Sequence, residues 1–119
     1  IPYRSDEKIS YEGSMSYMGN ILKVGVDVYQ YTKGFIHSKT LVIDDEIAII
    51  GSANIDLRSF EQNFEVSAFI YDETHSKHLK ELFLSDMKVS KKLSYFKWSN
   101  RPRYRKIIQA LARLLSPIL

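Results

Sequence analysis

The chain has 119 residues, is 45% hydrophobic and contains no cysteine. That length suits one globular domain and excludes two, and the missing thiols exclude disulfides and thiolate zinc sites. Seventeen Lys/Arg against fourteen Asp/Glu give a net charge of +3, but the excess is localised.

From Met87 to Leu119 there are nine bases and no acid, whereas the first 86 residues hold eight bases and all fourteen acids, a balance of −6. A basic tail beside an acidic remainder points to a polyanion, either lipid or nucleic acid, with a solvated helix face as an equal alternative. No window approaches the roughly 20 apolar residues of a membrane-spanning helix, so any such segment is expected outside this stretch. The opening on Ile1 and the loop-like "IPYRSDEK" suggest a piece of a longer chain.

In chain order, residues 11–23 read as a helix, with Tyr17, Met18, Ile21 and Leu22 at helical spacing. Gly25 stops it, and "VDVYQY" alternates as a strand. Residues 36–43 and 47–51 are the next two strands. The short Asp44-Asp45-Glu46 link between them favours an antiparallel hairpin. A loop at 52–60 leads to "NFEVSAFIYD", a β-branched and aromatic fourth strand. Asp72 or Thr74 can cap a helix from about 74 to 90, with Leu79, Leu82 and Phe83 on one face. Pro102 suits a helix first turn, and residues 103–115 repeat apolar groups at Tyr104, Ile107, Ile108, Leu111 and Leu115. That stripe is expected to pack inward, leaving Arg103, Arg105, Lys106 and Arg113 for solvent or anionic headgroups. Strands followed by helices predict an α/β fold, a mixed β-sheet flanked by helices.

The stretch "FIHSKTLVIDDEIAIIGSAN" (residues 35–54) carries the chemistry. A core gains nothing from His37 and Lys39, because burying an unpartnered cation costs several kcal/mol. Two residues apart on a strand, they share a face. Asp44, at an odd offset, faces away if the strand stays regular, as a partner of a turn amide or of a base behind the sheet. The hairpin return brings Ser52 and Asn54 beside His37 and Lys39. One imidazole, one ammonium, one hydroxyl and one carboxamide make an anion cradle holding a nucleophile, with Lys39, Ser52 and Asn54 suited to phosphate oxygens. A histidine attacking phosphorus needs a carboxylate on its far nitrogen, and Glu65 is the acid placed there.

"HSKTLVID" fits the H-x-K-x4-D signature of the phospholipase D superfamily, and "GSAN" followed by Glu65 matches its usual sequel. By residue usage the first signature alone arises by chance in about one such chain per hundred, and the second lowers that by several orders of magnitude. The wider text, residues 34–72 above all and the terminal "ARLLSPIL", resembles the C-terminal end of bacterial cardiolipin synthases of this superfamily.

The resemblance implies a partial α/β/α sandwich over residues 1–119, with a basic helical tail from about 87 and an exposed sheet edge. It implies metal- and cofactor-independent transphosphatidylation on phosphatidylglycerol at a bacterial membrane surface, through a phosphohistidine, giving cardiolipin and glycerol. His37, Lys39, Asp44 and Glu65 are then the catalytic set. Two such signatures build the superfamily's active site, so the partner of His37 is expected in an N-terminal half of the same chain. His37 is either the nucleophile or the general acid and base, with the second role preferred.

Two other functions fit the same residues: a nucleic-acid phosphodiesterase, although no nucleic acid is expected, and an incomplete half-domain that only binds phosphate or lipid. Elsewhere the functional readings are weaker. His75 and His78 lie one helical turn apart without a third metal ligand. Asp56, Arg58 and Glu61 are expected in surface pairs, with a lipid phosphate as a lesser reading for Arg58. Phe60 and Phe64 are expected in the core.

Overall fold

The computed structural model describes residues 1–3, 8–55 and 57–115. They form two compact units, one from the described residues of 1–35 and 90–115 and one from those of 36–89.

The first unit contains helix α1 (Lys8–Lys23), strand β1 (Tyr29–Tyr31), strand β5 (Ser90–Lys92) and helices α4 (Tyr95–Ser99) and α5 (Arg103–Leu115). α1 ends at a glycine for a conformational reason. Gly25 has φ 87°, and the Gly25 and Val26 amides donate to Leu22 and Ile21 carbonyls at 3.3 Å each. This satisfies two carbonyls that the helix end leaves open. Met15, Met18 and Val28 form the buried core, with Tyr11, Ile21, Leu22, Leu93 and Trp98 packed around it. The Trp98 indole N–H donates to the Met15 carbonyl at 3.1 Å. β1 and β5 pair antiparallel, and Pro2 makes a parallel bridge to Tyr31.

α5 packs on α1 through an unexpected face. Gln109 and Ala112 are buried, at 1% and 4% exposure. Gln109 donates to Glu12 at 2.8 Å and accepts from Arg101 Nε at 2.6 Å. Arg105 lies 3.7 Å from Glu12, and the Arg101 guanidinium sits over the Trp98 ring. A buried carboxamide is tolerated because both of its ends are bonded. The expected inward packing of the apolar stripe is therefore overturned, since Tyr104, Ile107, Ile108 and Leu111 are all exposed.

The second unit contains β2 (Lys39–Ile43), β3 (Ile47–Gly51), the short helix α2 (Leu57–Glu61), β4 (Ser67–Tyr71) and α3 (Glu73–Lys88). Its sheet runs in the order β2-β3-β4, antiparallel throughout. The α/β class holds, while the strands expected in one mixed sheet form two antiparallel ones. β2 begins at Lys39 and β4 at Ser67, each a few residues later than expected. α2 was expected as loop, and β5 and α4 are too short to carry a periodic signal.

α3 packs on the sheet and is capped by Asp72, whose Oδ1 accepts the His75 amide at 2.8 Å and contacts His75 Nδ1 at 2.6 Å. His75 thus serves the cap. Phe60 and Phe64, expected in the core, are exposed at 70% and 107%. Both sit in the connection between β3 and β4. Asp56 and the Arg58 side chain, and with them the expected surface pairs, lie outside the described residues.

Two measurements check these packings. In Gly19→Ala the new methyl runs into the Trp98 ring. We expect a loss of about 1–3 kcal/mol in denaturant, despite the better helix propensity of alanine. The Asp72 carboxyl lies below its ordinary value, chiefly because it accepts the His75 amide and then the His75 ring. A depressed carboxylate stabilises fully above its unfolded pKa and stops doing so as pH falls through the folded one. The thermal midpoint should therefore drop below the ordinary carboxylate range, and Asp72→Asn should flatten that dependence.

Candidate functional site

The site begins at the hairpin turn. Asp44 and Asp45 have φ 50° and 62°, and the Glu46 amide donates to the Ile43 carbonyl at 3.0 Å. Two positive-φ central residues give the turn a twist that matches antiparallel strands, and Asp tolerates that region better than most residues. The turn sets the register: Ile43 opposite Ile47, Lys39 opposite Gly51 and, on the third strand, Gly51 opposite Ser67.

Just past this row the β3–β4 pairing runs on by one residue, now through a side chain as well as the backbone. The Ser52 amide donates to the Val66 carbonyl at 3.0 Å, and the Val66 amide donates to the Ser52 hydroxyl at 3.0 Å. That hydroxyl donates in turn to Glu65 Oε2. The Asn63 carboxamide reaches the other Glu65 oxygen at 3.4 Å. Ser52 therefore links two chain segments and fixes a carboxylate at the end of the sheet. Opposite, the Lys39 ammonium donates to the His37 carbonyl at 2.8 Å. This bond folds the lysine back onto the histidine backbone, with two ammonium protons left for other acceptors.

His37 lies in the segment leading into β2, two residues before the strand, and is exposed. Asn54 is also exposed, and its amide donates to the buried Ser59 hydroxyl at 3.1 Å. Asp44 sits in the turn at the other end of β2, five residues from Lys39, or about 16 Å along an extended chain. The structure thus joins Lys39 to His37 and Ser52 to Glu65 at one end of the sheet, and holds Asp44 at the other. It adds Asn63 on Glu65 and Ser59 beneath Asn54, which the sequence did not mark. A lone Asn two residues before a Glu looks like any other loop residue.

Charge and chemistry at this end suit an anion. His37 and Asn54 are exposed and Lys39 is half-buried, and the Glu65 carboxylate is held by the Ser52 hydroxyl. Among the described residues no group of three or more His, Cys, Asp or Glu is placed to hold a metal ion.

Residues 2–87 match the family described as "Cardiolipin synthase, PLD-like domain". Over 119 residues the chain is 51% identical to the major cardiolipin synthase ClsA of Bacillus subtilis (strain 168), covering all of this chain and 25% of that one. It is 47% identical over 119 residues to cardiolipin synthase 2 of Staphylococcus epidermidis (strain ATCC 12228), again over all of this chain and 24% of the relative. A cardiolipin synthase of Geobacillus sp. (strain WCH70) is 44% identical over 118 residues, 99% of this chain and 24% of its own. No solved structure matches the chain. The chain therefore belongs to the cardiolipin synthase family of phospholipase D-like domains. It spans about a quarter of the length of these curated relatives.

Gly51 tests the register. A side chain there runs into the Ser67 hydroxyl and comes within 3.1 Å of the Val66 carbonyl. In Gly51→Ala, amide exchange at Ser52 and Val66 should accelerate by about tenfold or more relative to the wild type, while α1 amides keep their protection.

Proposed function

We propose that the protein containing this chain is a phosphatidyltransferase of the cardiolipin synthase type, and that this chain supplies half of its active site. The observation that carries the reading is the meeting of the Lys39–His37 bond and the Ser52–Glu65 bond at one end of the sheet, in a chain of this family.

In this reading the substrates are two phosphatidylglycerol molecules at a bacterial membrane surface. A histidine from an N-terminal half of the same chain, carrying a second H-x-K signature, attacks the phosphorus of the first. A phosphorus–nitrogen bond forms and the phosphorus–oxygen bond to glycerol breaks. His37, as general acid, gives its proton to the departing oxygen. It then accepts the hydroxyl proton of the second phosphatidylglycerol, whose oxygen displaces the histidine and yields cardiolipin. The two remaining ammonium protons of Lys39 hold phosphate oxygens while the third stays on the His37 carbonyl. The Asn54 carboxamide serves the same oxygens.

Glu65 orients His37 and steadies its charged form. The Ser52 proton is committed to Glu65, so Ser52 acts first by placing that carboxylate and only secondarily on phosphate. Asp44 acts through the turn, since its place in the left-handed hairpin sets the register on which the other residues depend. Support for a second half comes from the sheet order, which leaves β2, the strand led by His37, at the edge of its sheet among the described residues. Among these residues no helix is long and apolar enough to cross a membrane, so the membrane contact proposed for this chain is at the surface.

The test is the full-length protein on labelled phosphatidylglycerol in vesicles, with a single-stranded oligonucleotide as the competing phosphodiester. His37→Asn should cut cardiolipin formation by about a thousandfold or more, with an unchanged circular dichroism spectrum and thermal midpoint. Activity within tenfold of wild type in that variant, or faster turnover of the oligonucleotide by the wild type, sinks the reading.

A further inference from the structure

We propose that α5 is an interfacial helix that lies on an anionic bilayer surface, its apolar stripe among the acyl chains and its bases at the headgroups. The starting point is the mismatch between what α5 buries and what it exposes. At about 100° per residue, Arg105, Gln109 and Ala112 fall within about 60° of arc, and this narrow, mostly polar strip meets α1. Tyr104, Ile107, Ile108, Leu111 and Leu114 cover a separate arc of about 120°. They are 62%, 61%, 47%, 57% and 77% exposed. Five large apolar side chains along one helix form a continuous band, unlike the scattered apolar residues of an ordinary surface.

Charge selects the occupant. Arg103 and Lys106 are exposed on the flank of the band beyond Leu114. Arg113 follows on the same polar side, its guanidinium 4.4 Å from the centre of the Tyr17 ring. The segment from Met87 onward holds nine bases and no acid, so nothing on it repels an anionic surface. A nucleic-acid backbone satisfies the bases but leaves the apolar band in water. An anionic bilayer satisfies both, and a helix with separated apolar and basic faces is the form suited to its interface. The inference rests on the phosphatidyltransferase reading only in its preference for lipid over nucleic acid.

The experiment uses the full-length protein carrying no other cysteine, labelled with the environment-sensitive fluorophore NBD at Leu111→Cys near the centre of the band. Ala110→Cys, about 100° further round the helix, is the control. Each is placed with vesicles of phosphatidylcholine alone or of equal parts phosphatidylcholine and phosphatidylglycerol. We expect the label at position 111 to shift to the blue and to be quenched by spin-labelled lipid, more strongly on the phosphatidylglycerol vesicles, and the label at 110, on the flank between Arg103 and Lys106, to respond less on both counts. Arg103→Gln and Lys106→Gln should each lower the lipid-bound to free ratio of the 111 label by about fivefold.

A 111 label that is already shielded without lipid means that another segment covers the band, which overturns the proposal. An equal response on the two vesicle types, or a response to duplex DNA in place of lipid, also overturns it. Cardiolipin formation is read in the same samples. Product with a silent 111 label removes the docking helix and keeps the transferase, whereas a lipid-dependent label without product keeps the docking helix and removes the transferase.

Discussion

The left-handed turn at Asp44 and Asp45 is the constraint on which the site depends. It closes the β2–β3 hairpin in one register, and that register puts Lys39 across from Gly51. Ser52 then falls where its amide and hydroxyl take up both backbone groups of Val66, which brings Glu65 onto the hydroxyl. A slip of one residue would turn every side chain of β2 to the opposite face. The lysine and the carboxylate end would then separate, although no residue had changed. Gly51 belongs to the same constraint, since its missing side chain leaves room for Ser67 on the neighbouring strand.

The two units use polar groups in different ways. In the sheet unit, hydrogen bonds at an exposed end position groups for an incoming anion, and two ammonium protons of Lys39 stay available for it. In the helical unit, Gln109 is buried with partners at both ends, Glu12 and Arg101. A satisfied carboxamide costs little when buried and is expensive to strip of a partner, so it holds α5 on α1 in one rotational setting. That setting turns the apolar band outward. A polar bond in the interior thus decides which hydrophobic surface the molecule shows.

Much of the fold could be read directly from the chain. Period-3.6 spacing marked α1, α3 and α5, alternation marked β1, a short polar link marked the β2–β3 hairpin, and β-branched and aromatic residues marked β4, while β3 and α5 have the expected bounds. The α1 stop at Gly25 and the Asp72 cap were readable because each rests on one residue's own chemistry. Short elements were not. β5 and α4 occupy three and five residues, and so few positions show no period. Phe60 and Phe64 looked like core because apolar character was the only cue, yet they lie in a connection with little around them.

The sequence by itself determined the residue types of the cradle, their order and the family to which they belong, because a signature of spaced His, Lys, Gly, Ser, Asn and Glu is written locally. It also determined which residues of α5 share a face, since helical geometry depends only on spacing. The tertiary structure alone decided which face of α5 found a partner, that Ser52 holds Glu65, and that Asp44 stands in the turn far from Lys39. The physical reason is common to all three. Periodicity assigns residues to faces, but what a face meets depends on groups distant in the chain, as with Gln109 and Glu12, 97 residues apart.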